Sequence, residues 1–176
     1  MNRWNRIYKP IVVLVLVCIV VAGALAAANH VTEPVIEAAT AERQDAARKE
    51  LLPEADGFEP VENVETEQVL EIYKATNGVG VVVTGTAKGY GGDVTVMVAF
   101  ADDAIKRIKV TQQTETKGIG SKVVESGTYW AQYEGLPAEP LTLGEDVDAL
   151  TGATKSSRAL LEAVNAAVEG YHEVVD

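Results

Sequence analysis

The residues with most chemical capacity stand together near the C-terminus, where Thr151, Gly152, Ala153 and Thr154 precede Lys155, Ser156 and Ser157. Four small or hydroxylated residues in a row leave Thr154 sterically open. A helix is expected to begin here, and the free backbone N–H groups of a first helical turn favour an anion. A phosphate ester on Thr154 would therefore have electrostatic support. The same residues admit a plainer reading, in which Thr151 or Thr154 caps the helix, a role threonine fills at a typical gain of about 1 kcal/mol. Taken alone, these four residues favour the cap. Asp146 and Asp148 lie just upstream, where acidic residues suit the helix dipole.

The helix that must present Thr154 is read over 155–171, because Leu160, Leu161, Val164, Ala167, Val168 and Tyr171 recur along one face. Ahead of it run four short β-rich segments, 69–75, 79–86, 93–101 and 104–111. Their spacing is too close for parallel crossovers and predicts an antiparallel sheet. Asp102 and Asp103 form a plausible hairpin turn, and Gly89, Tyr90, Gly91 and Gly92 break the chain before it. The stretch 118–136 reads as irregular, with a short helix near 121–125 and an aromatic group at Tyr129, Trp130 and Tyr133. The expected fold class is α+β, a mainly antiparallel sheet covered by helices.

The N-terminal part obeys different rules. Residues 11–28 hold no charge and are almost wholly Val, Leu, Ile and Ala; at 1.5 Å per residue they reach roughly 27 Å, close to the hydrocarbon thickness of a bilayer. Arg3, Arg6 and Lys9 precede the run, whereas Glu33, Glu37 and Glu42 follow it before the next basic residue, Arg43. By the positive-inside rule the N-terminus stays cytoplasmic and the rest is exported. A cleaved signal peptide fits the same pattern, but its apolar core usually spans about 7–15 residues, so an uncleaved single-pass anchor in the cytoplasmic membrane is favoured. The organisation expected is a cytoplasmic end and anchor over 1–30, an amphipathic helical stalk over 31–56 ended by Pro53, and an extracytoplasmic domain over 57–176. The exported part is three charges more negative than the whole chain, whose formal charge is −11. That surface disfavours nucleic acid and anionic lipid headgroups. Cys18 is the only cysteine and lies within the apolar run, which excludes an intrachain disulfide and cysteine-held iron–sulfur or haem groups. His30 and His172 are too isolated to suggest a metal site.

The segment Asp148, Ala149, Leu150, Thr151, Gly152, Ala153, Thr154 resembles the flavinylation motif of the FMN-binding domain family. In that family a dedicated FMN transferase, acting outside the cytoplasm, esterifies the final threonine to the phosphate of FMN. The resemblance puts covalent FMN on Thr154, with Thr151 where many members have serine. Upstream, Glu115, Thr116, Lys117, Gly118, Ile119 and Gly120 resemble the Glu-Thr-Pro-Gly-Leu-Gly segment of the G subunit of Rnf complexes, with Lys117 in place of proline and Ile119 of leucine. Agreement extends to Leu51, Leu52, Pro53, Glu54 and Ala55 followed by Phe58, to 87–92, and to 129–133. The related C subunit of the sodium-pumping quinone reductase is similar but generally longer.

This resemblance implies an electron-transfer subunit of a membrane-bound ion-translocating ferredoxin:NAD oxidoreductase, with little catalysis of its own. Its partners would be the other membrane subunits, which hold the ferredoxin and NAD sites, together with the transferase during maturation and the lipid bilayer. The residues implied at the cofactor are Thr154 as attachment point; Gly152 and Ala153 giving clearance; Thr151, Lys155 and Ser156 near the phosphate; and Glu115, Thr116, Gly118 and Gly120 at the ring or ribityl chain. Tyr90 and Trp130 either stack on the ring or are plain core, the commoner fate of aromatic residues. Asp146 and Asp148 assist recognition by the transferase. Two other readings stay open: a stand-alone anchored flavoprotein carrier, and a cofactor-free exported binding or scaffold domain in which Thr154 is only a cap.

Overall fold

The computed structural model describes residues 9–62, 65–115 and 120–175. Helix α1 covers Lys9–Leu51 and carries Pro34 within it, so the apolar run and the more polar segment after it belong to one helix. The chain divides between Asp45 and Ala46 into two compact units. In the first, every side chain from 11 to 36 is exposed, including Ile11, Leu14, Ile19 and Leu25. Among the described residues this is the one helix long and apolar enough to cross a membrane. Lipid is the solvent that such a surface fits.

The second unit is built on a five-stranded antiparallel sheet in the order β1-β2-β3-β4-β5, a meander of neighbours in sequence. The strands are β1 (Phe58–Pro60), β2 (Val69–Ala75), β3 (Val81–Lys88), β4 (Asp93–Ala101) and β5 (Ala104–Gln112). Asp102 and Asp103 both adopt φ 53° in the β4–β5 hairpin, the left-handed pair that a two-residue primed turn demands and that aspartate tolerates. Register pairs Val83 with Val98 and Val82 with Ala99, which separates the two faces of the sheet. Val83, Val96, Val98 and Phe100 join one core cluster with Leu160, Val164 and Val168 of α4 (Thr154–Val175). Val82, Met97 and Ala99 join the other with Ala47, Leu51, Leu52 and Ala55. Strand β4 is therefore buried on both faces. Each fully buried aliphatic side chain contributes about 1.5–3 kcal/mol.

Two details fix α4 against the sheet. A Cβ on Gly85 of β3 would come within 2.1 Å of the Ala163 carbonyl oxygen, so only glycine lets the helix lie this close. At the far end Tyr171 stacks on Phe100 with ring centroids 4.6 Å apart and donates its hydroxyl to Asp103 Oδ1 at 2.8 Å. Burial, followed by the carboxylate of Asp103, pushes the Tyr171 phenol up to about 12. The remaining short elements are α2 (Ser121–Val124), α3 (Gly127–Trp130) and a 3-10 turn at Ala131–Tyr133. They supply Val123, Val124 and Tyr133 to the α4-side core.

Candidate functional site

The start of α4 is shaped by a tight turn. Ala153 N–H donates to the Leu150 carbonyl at 2.9 Å, and Gly152 has φ +83° at the third position, the left-handed site that makes glycine the residue of choice there in a type II turn. Buried Ser157 locks the turn from inside the helix: its Oγ accepts from Leu150 N–H at 3.0 Å and donates to the Ala153 carbonyl at 3.2 Å. The first helical bond runs from Ser157 N–H to the same carbonyl at 2.9 Å. Ala153 thus occupies the capping position, and it has no side-chain oxygen. Neither Thr151 nor Thr154 is the cap: Thr151 sits in the turn, and Thr154 is the first helical residue, with its side chain exposed. Among the described residues no protein acceptor takes the N–H groups of Thr154, Lys155 or Ser156. They are the open donors of the helix N-terminus.

The approach to this turn is held from several sides. Asn165 of α4 exchanges two 2.9 Å hydrogen bonds with the backbone of Leu141. Asp146 uses its carboxylate to accept from Thr142 N–H at 2.7 Å, which fastens the loop it belongs to. Asp148 N–H donates to Gln132 Oε1 at 2.7 Å, and the Asp148 carbonyl accepts the Tyr129 hydroxyl at 2.7 Å. The aromatic segment around Tyr129 is therefore a buttress for the residues leading to Thr154.

A cavity of about 660 Å³ opens beside the helix start, lined by every residue from Gly152 to Ser156, by Glu115 and Gly120, and by Tyr90. Seven of the ten residues expected at a cofactor are brought together here. Thr151 stands in the turn and does not line the cavity; Thr116 and Gly118 lie outside the described residues. Tyr90 is 69% exposed and so is not core, whereas Trp130 is half-buried and donates its indole N–H to the Val123 carbonyl at 2.8 Å. The signal that separates these two aromatics was in the sequence, since Tyr90 is flanked by three glycines that offer a core residue nothing to pack against. Lys155 Nζ lies 5.4 Å from the centre of the Tyr90 ring. Glu115, 7% exposed, accepts from Tyr90 N–H at 2.7 Å and from Ser156 Oγ–H at 2.9 Å.

These residues fit a flavin mononucleotide. The cavity falls within the roughly 300–1,000 Å³ usual for small-molecule sites. Open helix N–H groups and the Lys155 ammonium suit a phosphate, and the Tyr90 ring suits a flat aromatic group.

The FMN-binding domain family matches residues 89–169, a span holding the cavity-lining loop and most of α4. The chain is 33% identical to the G subunit of the Na(+)-translocating ferredoxin:NAD(+) oxidoreductase complex of Acetobacterium woodii, over 97% of this chain and 94% of that protein. It is 32% identical to the G subunit of the ion-translocating oxidoreductase complex of Methanosarcina acetivorans, over 96% of each. The crystal structure of Shewanella oneidensis NqrC aligns with a TM-score of 0.49 at 24% identity, covering 68% of this chain and 67% of that one. With such identity to both G subunits sustained over almost its whole length, the chain belongs to the family of G subunits of ion-translocating ferredoxin:NAD oxidoreductase (Rnf) complexes.

Proposed function

We propose that this chain is the FMN-bearing electron-transfer subunit of an Rnf-type complex, that its FMN is esterified through the phosphate to Thr154 Oγ1, and that the domain works on the outer side of the cytoplasmic membrane. The observation that carries the covalent assignment is the capping arrangement. Because Ala153 takes the cap, the Thr154 hydroxyl is not consumed by the helix and the N–H groups of 154–156 are unclaimed beside a cavity. When bound, FMN supplies a centre that takes up and releases electrons singly or in pairs.

The protein's own part is to hold and orient. Gly152 sets the turn that exposes Thr154, the helix N-terminus and Lys155 bind the phosphate, and Tyr90 offers the isoalloxazine ring an aromatic wall. Attachment needs an activated phosphoric anhydride of FMN, supplied by a transferase. The Thr154 Oγ1–P bond forms as the anhydride P–O bond breaks, and the hydroxyl proton leaves with the displaced group or to a base. Arg3, Arg6 and Lys9 before the apolar run, with no Lys or Arg after it until Arg43, support the orientation. The other complex subunits and the surrounding lipid are the standing partners in this reading.

The test is expression of the full chain with the transferase, followed by denaturation and mass spectrometry of the peptide containing Thr154. The expected result is a yellow fluorescent band and a mass gain of one FMN less one water on that peptide, both lost in Thr154→Ala. An unmodified Thr154 in protein from its native membrane would return the site to the cofactor-free reading. Label retained in the alanine variant would put the attachment elsewhere.

A further inference from the structure

Glu115 does more than line a cavity. Its two carboxylate oxygens are divided between two separate elements: Oε1 accepts from the backbone of Tyr90 in the 89–92 loop, and Oε2 accepts from Ser156 in the first turn of α4. The three segments are far apart in sequence, and they converge on one buried acid. Two glycines complete the cradle. A Cβ on Gly89 would lie 2.1 Å from Oε1, and one on Gly120 would lie 2.3 Å from Oε2 and 2.8 Å from Ser156 Oγ. At both positions the carboxylate fills the space that a side chain would take, so a larger residue there would displace it. The Glu115 backbone is itself held, its N–H donating to Gln113 Oε1 at 2.7 Å.

We propose that Glu115 is a positioning residue whose carboxylate clasps the 89–92 loop to the start of α4, setting the two walls of the cavity, Tyr90 on one side and Thr154 on the other, at a fixed separation before any cofactor arrives. The functional consequence of this clasp rests on the flavin reading, but the clasp itself is a property of the chain alone. Lys155 over the Tyr90 ring is a third and weaker link between the same two elements, solvent-exposed where the carboxylate is not. The clasp gives the acid a structural task, since each of its oxygens already accepts from a donor in one of the walls. Charge as such is not what the clasp requires. A glutamine can accept from Tyr90 N–H with its amide oxygen and donate from its amide nitrogen to Ser156 Oγ, so it preserves both contacts, whereas alanine preserves neither.

The experiment uses the full chain in detergent micelles, made without the transferase, with amide exchange of the peptide covering Tyr90 read by mass spectrometry. Exchange of a β4 peptide serves as the folding control. Glu115→Ala should speed exchange at Tyr90 roughly 10- to 100-fold, the expected loss for a backbone N–H bonded to a charged acceptor. Ser156→Ala, which cuts one arm only, should speed it less, and Glu115→Gln should stay near wild type. When the same variants are made with the transferase, FMN on the Thr154 peptide should fall in Glu115→Ala and recover in Glu115→Gln. Unchanged Tyr90 exchange in Glu115→Ala, with β4 protected, overturns the clasp, as does a glutamine variant as exposed as alanine. If wild type itself takes no FMN while the exchange pattern holds, the flavin reading fails and the clasp stands.

Discussion

The free N-terminus of α4 makes a prediction with two opposite signs. Ala153 holds the capping position with a methyl group; it is buried in the α4-side core and also borders the cavity, the side toward which a hydroxyl added there would turn. In Ala153→Ser the new Oγ can accept from the N–H of Lys155 or Ser156, the usual partners of a capping serine. Replacing alanine by serine at a cap is worth about 1 kcal/mol. For the unit over 46–176 that corresponds to a rise of about 4 °C in the unfolding midpoint. The same hydroxyl now competes with phosphate for the donor it has claimed. Displacing it costs the capping energy again, so phosphate occupancy at Thr154 should fall about fivefold. Thermal unfolding of the flavin-free chain and the initial rate of FMN transfer, measured on one preparation, give both numbers. A variant that is stabilised yet labelled at the wild-type rate would show that the helix N–H groups do not receive the phosphate. A variant that is destabilised would show that the methyl is needed for packing, and would refute the inference from capping.

Two further outcomes test the domain that carries the site. Tyr133 is fully buried, its hydroxyl has no partner among the described residues, and burial holds its phenol well above the ordinary tyrosine range. An unpartnered buried hydroxyl costs about 1–3 kcal/mol, so Tyr133→Phe should be neutral to stabilising, and a midpoint lower by more than a few degrees in thermal unfolding would contradict that. Tyr171 keeps its proton to about 12 in the folded chain against 10.0 when unfolded, so its contribution is intact below pH 10 and is lost as pH rises between those values. Denaturant titrations from pH 9 to 12 should therefore show stability falling in wild type and a flatter profile in Tyr171→Phe; equal slopes would refute the assignment.

The sheet was legible because its strands announce themselves locally. The expected spans 69–75 and 93–101 coincide with β2 and β4, and the Asp102-Asp103 turn stands where two aspartates can take φ 53°. Strand β1 escaped because three residues ending in Pro60 have no alternation to read; it exists through pairing with β2, Phe58 opposite Ala75. The unbroken run of α1 past Pro34 was also hidden, since the change from an apolar to a polar composition looks like a boundary. At the site, sequence named Glu115 but not its work. Its partners lie 25 and 41 residues away, and only the packing of α4 on the sheet decides that they meet.

The threonine motif shows why a short pattern can mislead about its own mechanism. Read as four residues, a threonine at a helix start is a cap, and a capping threonine has its oxygen occupied. The turn at 150–153 shifts the helix by one position, so that alanine takes the cap and Thr154 falls just inside it. That single displacement frees both the hydroxyl and the donors around it. Gly152 is needed for the turn, Ser157 for its hold on Leu150, and a residue without side-chain oxygen at 153 for the open donors. In the proposed reading, small residues before Thr154 therefore do two jobs, clearance for a modifying enzyme and refusal of a competing cap, and the second is visible only once the turn is known.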